Sequence, residues 1–193
     1  MKKLLSVFFA VILFAGLLNA QGKMAVGAGV VVSLPMGDFG DANKLGIGGT
    51  AAFEMEFMPQ LVGTGQAGYI SWAGKDAESS ENGVSVSASS SVSAVPVMVG
   101  AKYYFMPGMG LYGAAQLGLY FMSSEAEVQT SNIPGVGSLD LGGSASSTEF
   151  AFKIGGGYEV PVSPTFDVDL SAAFVIISSW TNIEFRAGGK VAL

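Results

Sequence analysis

Leu111-Tyr112-Gly113-Ala114-Ala115-Gln116-Leu117-Gly118-Leu119-Tyr120-Phe121-Met122 is the stretch that decides how this chain folds. Leu111, Gly113, Ala115, Leu117, Leu119 and Phe121 recur at period two on one face, while Tyr112, Gln116 and Tyr120 fall on the other. One face is apolar and the other mixed, so the strand separates two unlike surroundings. The pattern returns three times towards the C-terminus. Phe150, Phe152, Ile154, Tyr158 and Val160 oppose Lys153 and Glu159; Phe166, Val168, Leu170, Ala172, Phe174 and Ile176 oppose Asp167, Asp169 and Ser171; Ile183, Phe185, Val191 and Leu193 oppose Glu184, Arg186 and Lys190.

Working towards the N-terminus, residues 24–34, 45–57, 61–72 and 92–105 supply four more strands of similar length. Glu54 and Glu56 alternate with Phe53, Met55 and Phe57, and Lys102 sits among Val99, Ala101 and Tyr103. In the third of these strands, Gln66 sets the phase if it faces inward, whereas Gly63, Gly65 and Gly68 leave room for a bulge that reverses it. Each strand reaches the roughly 9–11 residues needed to cross a bilayer at a tilt.

Composition supplies the second medium. Half of the residues are hydrophobic, 12% are charged, and the mean hydropathy is +0.49, yet beyond residue 20 no apolar run approaches the roughly 18 residues of a spanning helix. The remaining way to cross hydrocarbon is a closed barrel, which pairs every backbone amide and leaves no edge. A soluble eight-stranded calyx would need a polar outside, and the charged residues are too sparse to coat one.

The first twenty residues place that barrel. Lys2 and Lys3, the apolar run from Leu4 to Leu18 and Leu18-Asn19-Ala20 read as a secretory signal peptide, leaving residues 21–193 as one barrel domain. With Cys 0, disulfides, thiolate metal sites and a lipidated N-terminus are ruled out. An exported, lipid-spanning barrel belongs in the outer membrane, a porin-like element of a Gram-negative cell envelope in contact with outer-membrane lipid.

Connections alternate in length as such a barrel requires. Pro59-Gln60, Pro107-Gly108-Met109-Gly110 and Ser163-Pro164-Thr165 are tight turns; residues 35–44, 74–91 and 123–147 are long and rich in Gly, Ser, Asp and Glu. Segment 74–91 reads equally as a hairpin continuing its strands, through Val84-Ser85-Val86-Ser87, or as a Ser-rich linker. Aromatic residues gather at strand ends. Phe57, Tyr103, Tyr104, Phe105, Tyr158 and Phe166 lie beside the short turns and Trp72, Tyr120, Phe121, Phe150 and Trp180 towards the loops, which predicts two interfacial girdles.

Three phrases then carry a resemblance: residues 33–39 (Ser-Leu-Pro-Met-Gly-Asp-Phe), 95–105 (Val-Pro-Val-Met-Val-Gly-Ala-Lys-Tyr-Tyr-Phe) and 111–118 (Leu-Tyr-Gly-Ala-Ala-Gln-Leu-Gly). The chain resembles the small outer-membrane β-barrel domains related to outer-membrane proteins A and X. That resemblance implies an all-β, eight-stranded, antiparallel up-and-down barrel with its termini on the periplasmic side. The terminal Arg186-x-Gly188-x-x-Val191-x-Leu193 is similar to the signal such proteins present to the barrel-insertion machinery, although here it ends in Leu rather than an aromatic residue.

An eight-stranded barrel is only wide enough for side chains to fill. The inward residues Glu54, Glu56, Glu149, Glu159, Asp167, Asp169 and Glu184 against Lys102, Lys153, Arg186 and Lys190 predict a lumenal charge network. Centring the last hairpin near residue 179 or 180 sets Asp169 across from Lys190, or one step off from Arg186, and centring the first sets Lys23 near Glu56. These acids outnumber the bases, so a polar conduit stays as the alternative to a structural plug.

Catalysis is not expected. With His 0, Ser-His chemistry and imidazole ligation are absent, and no cofactor fingerprint occurs, since Gly155-Gly156-Gly157 lies within a strand. Removing Lys2 and Lys3 from the 9 basic residues leaves 7 against 15 acidic ones, which disfavours nucleic acid. The sequence thus favours a structural or surface-interaction barrel meeting extracellular ligands through its loops, with a narrow channel or transporter for small or apolar solutes as the second reading and an enzyme a distant third.

Overall fold

Strands that are apolar on one face and polar on the other satisfy both media only by curling into a ring, and the computed structural model shows that ring. It describes residues 22–75, 77–81, 84–106, 108–133, 137–178 and 180–193, with the backbone alone over 77–81, 84–88, 128–133 and 137–141. The expected signal peptide, residues 1–20, lies outside the described residues. The elements are β1 (Met24–Met36), α1 (Gly37–Ala42), β2 (Asn43–Met58), β3 (Leu61–Gly74), β4 (Ala77–Glu81), β5 (Val84–Tyr104), β6 (Leu111–Ile133), β7 (Gly137–Ser163), β8 (Phe166–Ile177) and β9 (Trp180–Ala192).

All pairings are antiparallel, in the order β3-β2-β1-β9-β8-β7-β6-β5-β4, and β3 pairs with β5 to close the barrel. Among the described residues β4 pairs only with β5, as a short hairpin arm, so the ring has eight members. No helix among the described residues is long and apolar enough to cross a membrane; the strands do the crossing.

Alternation follows the sequence pattern around the ring. Val30 and Ile47 on the outside are 63% and 64% exposed, and Val99, Leu117, Phe150, Ile154, Leu170 and Phe185 continue the band. An apolar belt of this extent is a lipid face rather than a soluble surface. Gln66 does face inward, and β3 holds one phase, with a single register against β5 from Leu61↔Tyr103 to Ala73↔Ser91. The glycines of β3 therefore do not reverse it.

The long connections are the main revision. Ladder pairing continues through Ser91↔Glu125 and Ala126↔Gly143, so 123–133 and 137–149 are strand rather than loop, while 84–91, paired with 77–81, follows the hairpin reading of that segment rather than the linker one. Residues 123–127 and 142–148 are exposed on both faces, which marks where the barrel leaves the bilayer and a protruding sheet begins. The last hairpin pairs Ile177↔Trp180, one residue short of the expected centre, and sets Asp167 rather than Asp169 opposite Lys190. Ser178, at φ 32, makes that tight turn.

Candidate functional site: the lumen and its outer mouth

Three layers fill the barrel. Nearest the short turns, Lys102 of β5 places Nζ 2.5 Å from Glu54 Oε1, 2.9 Å from Glu159 Oε1 and 2.8 Å from Asp169 Oδ2, and 4.3 Å from the centroid of the Tyr112 ring. Lys190 of β9 takes the other oxygens, Glu54 Oε2 at 3.0 Å and Glu159 Oε2 at 2.5 Å, with Asp167 at 3.9 Å. Arg186 Nη1 donates to Asp169 Oδ1 at 3.1 Å, and its Nε donates to Thr50 Oγ1. The phenols of Tyr104 and Tyr112 donate to Glu159 and Asp169. Buried charges persist only when paired and hydrogen-bonded in this way.

Parity puts these groups together. Each lies on the inward face of its strand, and small neighbours give the long ones room. A Cβ added at Gly157 would lie 2.5 Å from Tyr112 Oη, so the glycine of β7 is what lets that phenol reach Asp169.

The three carboxylates Glu54, Glu159 and Asp169 have oxygens within 4.8 Å of one another, a spacing that suits a metal ion. The Lys102 ammonium already lies within bonding distance of all three, so the cation of this cluster is the protein's own. A general acid or base needs a free face towards substrate. Here each carboxylate is engaged on both oxygens.

The middle layer is smaller. Lys153 pairs with Glu184 at 2.7 Å, Tyr120 donates to Glu184 at 2.8 Å, and Asn182 donates to Ser33 at 2.6 Å. Between the two layers lies a cavity of about 60 Å³ bordered by Gln66, Gln116, Lys153 and Arg186, room for a few waters and no more.

The network holds Glu54, Glu159, Asp169 and Glu184 against Lys102, Lys153, Arg186 and Lys190, so its charges cancel. The excess acids of the sequence lie elsewhere. Glu56 sits at the short-turn end, its amide donating to the Lys23 carbonyl at 2.9 Å; Asp167 is a third exposed; Glu149 lies in the outer mouth. Of the two partners expected for Asp169, Arg186 is the one that binds it, joined by Lys102, and Lys190 is not. Lys190→Met is still expected to lower the urea midpoint of the refolded barrel, now through Glu54 and Glu159. A loss of about 1–3 kcal/mol is expected, smaller than for Lys102 because Tyr104 and Lys102 continue to hold the same carboxylates; an unchanged midpoint rejects the pairing.

The outermost layer is apolar. Val31, Ile70, Trp72, Ala94, Met98, Tyr120, Ala151, Val175 and Ile177 form one buried cluster inside the barrel. Above it α1 folds Phe39 into the mouth, stacked on Trp180 with centroids 4.0 Å apart and edge-on to Trp72 at 5.7 Å; Trp72 and Trp180 also meet edge-on at 5.7 Å. Asn43 Nδ2 donates to the Phe39 carbonyl, and Lys75 donates through its backbone to Ala42 and through Nζ to Gly40, which hold the cap in place.

This plug corrects the girdle reading. Trp72, Tyr120, Tyr104 and Trp180 are lumenal rather than interfacial: the first two are fully buried, Tyr104 bonds Glu159, and Trp180 caps the mouth. Tyr103, Phe105 and Tyr158 do point outward beside the short turns, exposed by about half. Of the terminal signal residues, Val191 and Leu193 are outward and exposed, Arg186 is committed to Asp169, and Gly188 packs against Gly29. Phe39 was missed because a lone aromatic in a Gly- and Asp-rich connection carries no periodic signal.

The family profile described as the outer membrane protein beta-barrel domain matches residues 7–189. No curated protein sequence matches the chain. Among solved structures, the chain is similar to Ail, the attachment invasion locus protein of Yersinia pestis, in complex with the heparin analogue sucrose octasulfate, at TM-score 0.54 and 16% identity over 90% of this chain and 100% of that one. A major outer membrane protein from Thermus thermophilus gives TM-score 0.53 and 12% identity over the same shares. At these identities the likeness speaks for the fold.

Proposed function

The chain belongs to the outer membrane protein β-barrel domain family, and from that premise we propose that this integral outer-membrane barrel, once a leader of residues 1–20 is removed, acts as a surface-interaction protein rather than a pore or an enzyme. The observation that carries this is the protruding sheet. Among the described residues, β7 pairs with β8 only from Ala151 onward, so residues 137–148 have β6 on one side and a free backbone edge on the other. A free edge offers its N–H and C=O groups to an incoming strand.

Charge narrows the partner. Residues 77–91 and 123–149 include Glu78, Glu81, Glu125, Glu127, Asp140 and Glu149 and no Lys or Arg. A polyanion such as the sucrose octasulfate bound to Ail is repelled by such a surface, so the partner expected is a protein with an extended segment and a neutral or basic face. Membrane insertion rests on the belt described above, with the terminal Val191 and Leu193 offered to the insertion machinery.

Two measurements test this. Replacing residues 76–90 and 125–144 by short turns is expected to leave the urea midpoint within about 1 kcal/mol, because the side chains described there, at 89–90, 125–127 and 142–144, are exposed, and to abolish adhesion of barrel-displaying cells to protein-coated surfaces. Equal adhesion by the trimmed barrel rejects the reading. In planar bilayers the full barrel is expected to give no conductance steps above leak; steps would favour the narrow-passage alternative.

A further inference from the structure

Of the inward acids that the lumenal network leaves out, Glu149 is the one at the outer mouth. Among the described residues its carboxylate takes part in no ion pair and no hydrogen bond. It borders a cavity of about 310 Å³ in the outer mouth, whose inner side is Phe39, Trp180, Val92 and Met122 and whose wall includes Ser124 and Ser147. The apolar members pack against the buried cluster on one side and meet the cavity on the other. Among the described residues, Glu149 is the sole charged side chain in that lining. Lys153, the next base inward on β7, is committed to Glu184.

We propose that this vestibule binds a small organic cation with an apolar body, its ammonium beside the Glu149 carboxylate and its body against Trp180, Phe39 and Met122. Three features converge on that class. The volume is at the lower end of the range for small-molecule pockets, about 300–1,000 Å³. Aromatic rings attract a cation and also welcome an apolar body. The acids of the protruding segments, with no base among them, raise the local concentration of cations and repel anions.

The site shares Ala145, Ser146 and Ser147 with the base of the free sheet edge but includes none of residues 76–90 and 125–144, so it is testable on a barrel trimmed of them. Both tryptophans of the chain, Trp72 and Trp180, belong to the ring cluster of the mouth and report on it. Barrel refolded in a maltoside, a detergent without an ammonium group, is titrated with benzyltrimethylammonium and separately with benzyl alcohol while tryptophan fluorescence is followed. The expected result is a saturable change with the cation at lower concentration than with the alcohol. Glu149→Gln should weaken the cation about tenfold and leave the alcohol unchanged. Ala145→Phe, which fills the cavity from its wall, should abolish both responses while heat-modifiable gel migration is retained. A non-saturating response, equal affinity for cation and alcohol, or a folded Glu149→Gln barrel that binds the cation as before would overturn the proposal.

Discussion

Lys102→Met is expected to cost the barrel about 3–5 kcal/mol of unfolding free energy, seen as a large fall in the urea midpoint of protein refolded into lipid vesicles. Met has nearly the length of Lys and fills the same space, so the loss reports charge rather than a cavity. What remains is Glu54, Glu159 and Asp169 with oxygens within 4.8 Å of one another and their shared ammonium gone. Lys190 and Arg186 still touch them from the side, each already bonded to the group it would have to serve alone. Adding Glu54→Gln and Glu159→Gln to Lys102→Met should recover much of the loss, because amides tolerate one another where carboxylates do not. A Lys102→Met barrel as stable as the parent, or a triple variant weaker than the single one, would show that the cluster is not what holds the lumen.

Trp72→Ala is expected to cost a similar amount, about 3–5 kcal/mol, by opening a hole beneath Phe39 and Trp180. Its indole lies flat against the wall: a Cβ built on Gly46 would come within 3 Å of Trp72 Nε1, Cδ1 and Cε2. Gly46→Ala should therefore destabilise the parent strongly and the Trp72→Ala barrel hardly at all, a coupling that a double-mutant cycle reads directly. Additive effects would reject the contact. The indole N–H has no acceptor among the described residues, so Trp72→Phe should lose much less than Trp72→Ala, since it gives up ring area without a hydrogen bond.

What was legible in the sequence follows from where the two faces differ. In β6 to β9 lipid demands apolar side chains on one face and the lumen accepts Gln, Lys, Glu and Asp on the other, so alternation is plain and the facings read from it stand, the girdle placement of Tyr120 and Trp180 apart. The upper lumen hides itself because Ile70, Met98, Val175 and Ile177 are as apolar as the lipid face beside them. Trp72 was misplaced by its position near a strand end, although parity with Gln66 sets it inward; Tyr104 follows Lys102 and Tyr120 follows Gln116 by the same count. Outside the Val84-Ser85-Val86-Ser87 hairpin, the protruding strands were invisible for the opposite reason. Ser, Glu and Gly on both faces give a ladder without a pattern, as residues 123–127 and 142–148 show.

The seam where β9 meets β1 sets how the barrel folds. It joins Ala25↔Ala192 through Met36↔Thr181, and the side chains that bridge or span it, Asn182 to Ser33, Arg186 to Thr50 and Lys190 to Glu54, connect residues 149, 136 and 136 apart in the chain. Contacts this distant in sequence carry the largest loop-closure entropy and form slowly. Until the last strand docks, Glu54 lacks one of its two ammonium partners, and Lys190 is held from one side only. A half-assembled ring is thus disfavoured both by its open backbone edge and by its unmatched charges, and the barrel should open and close as a single cooperative unit.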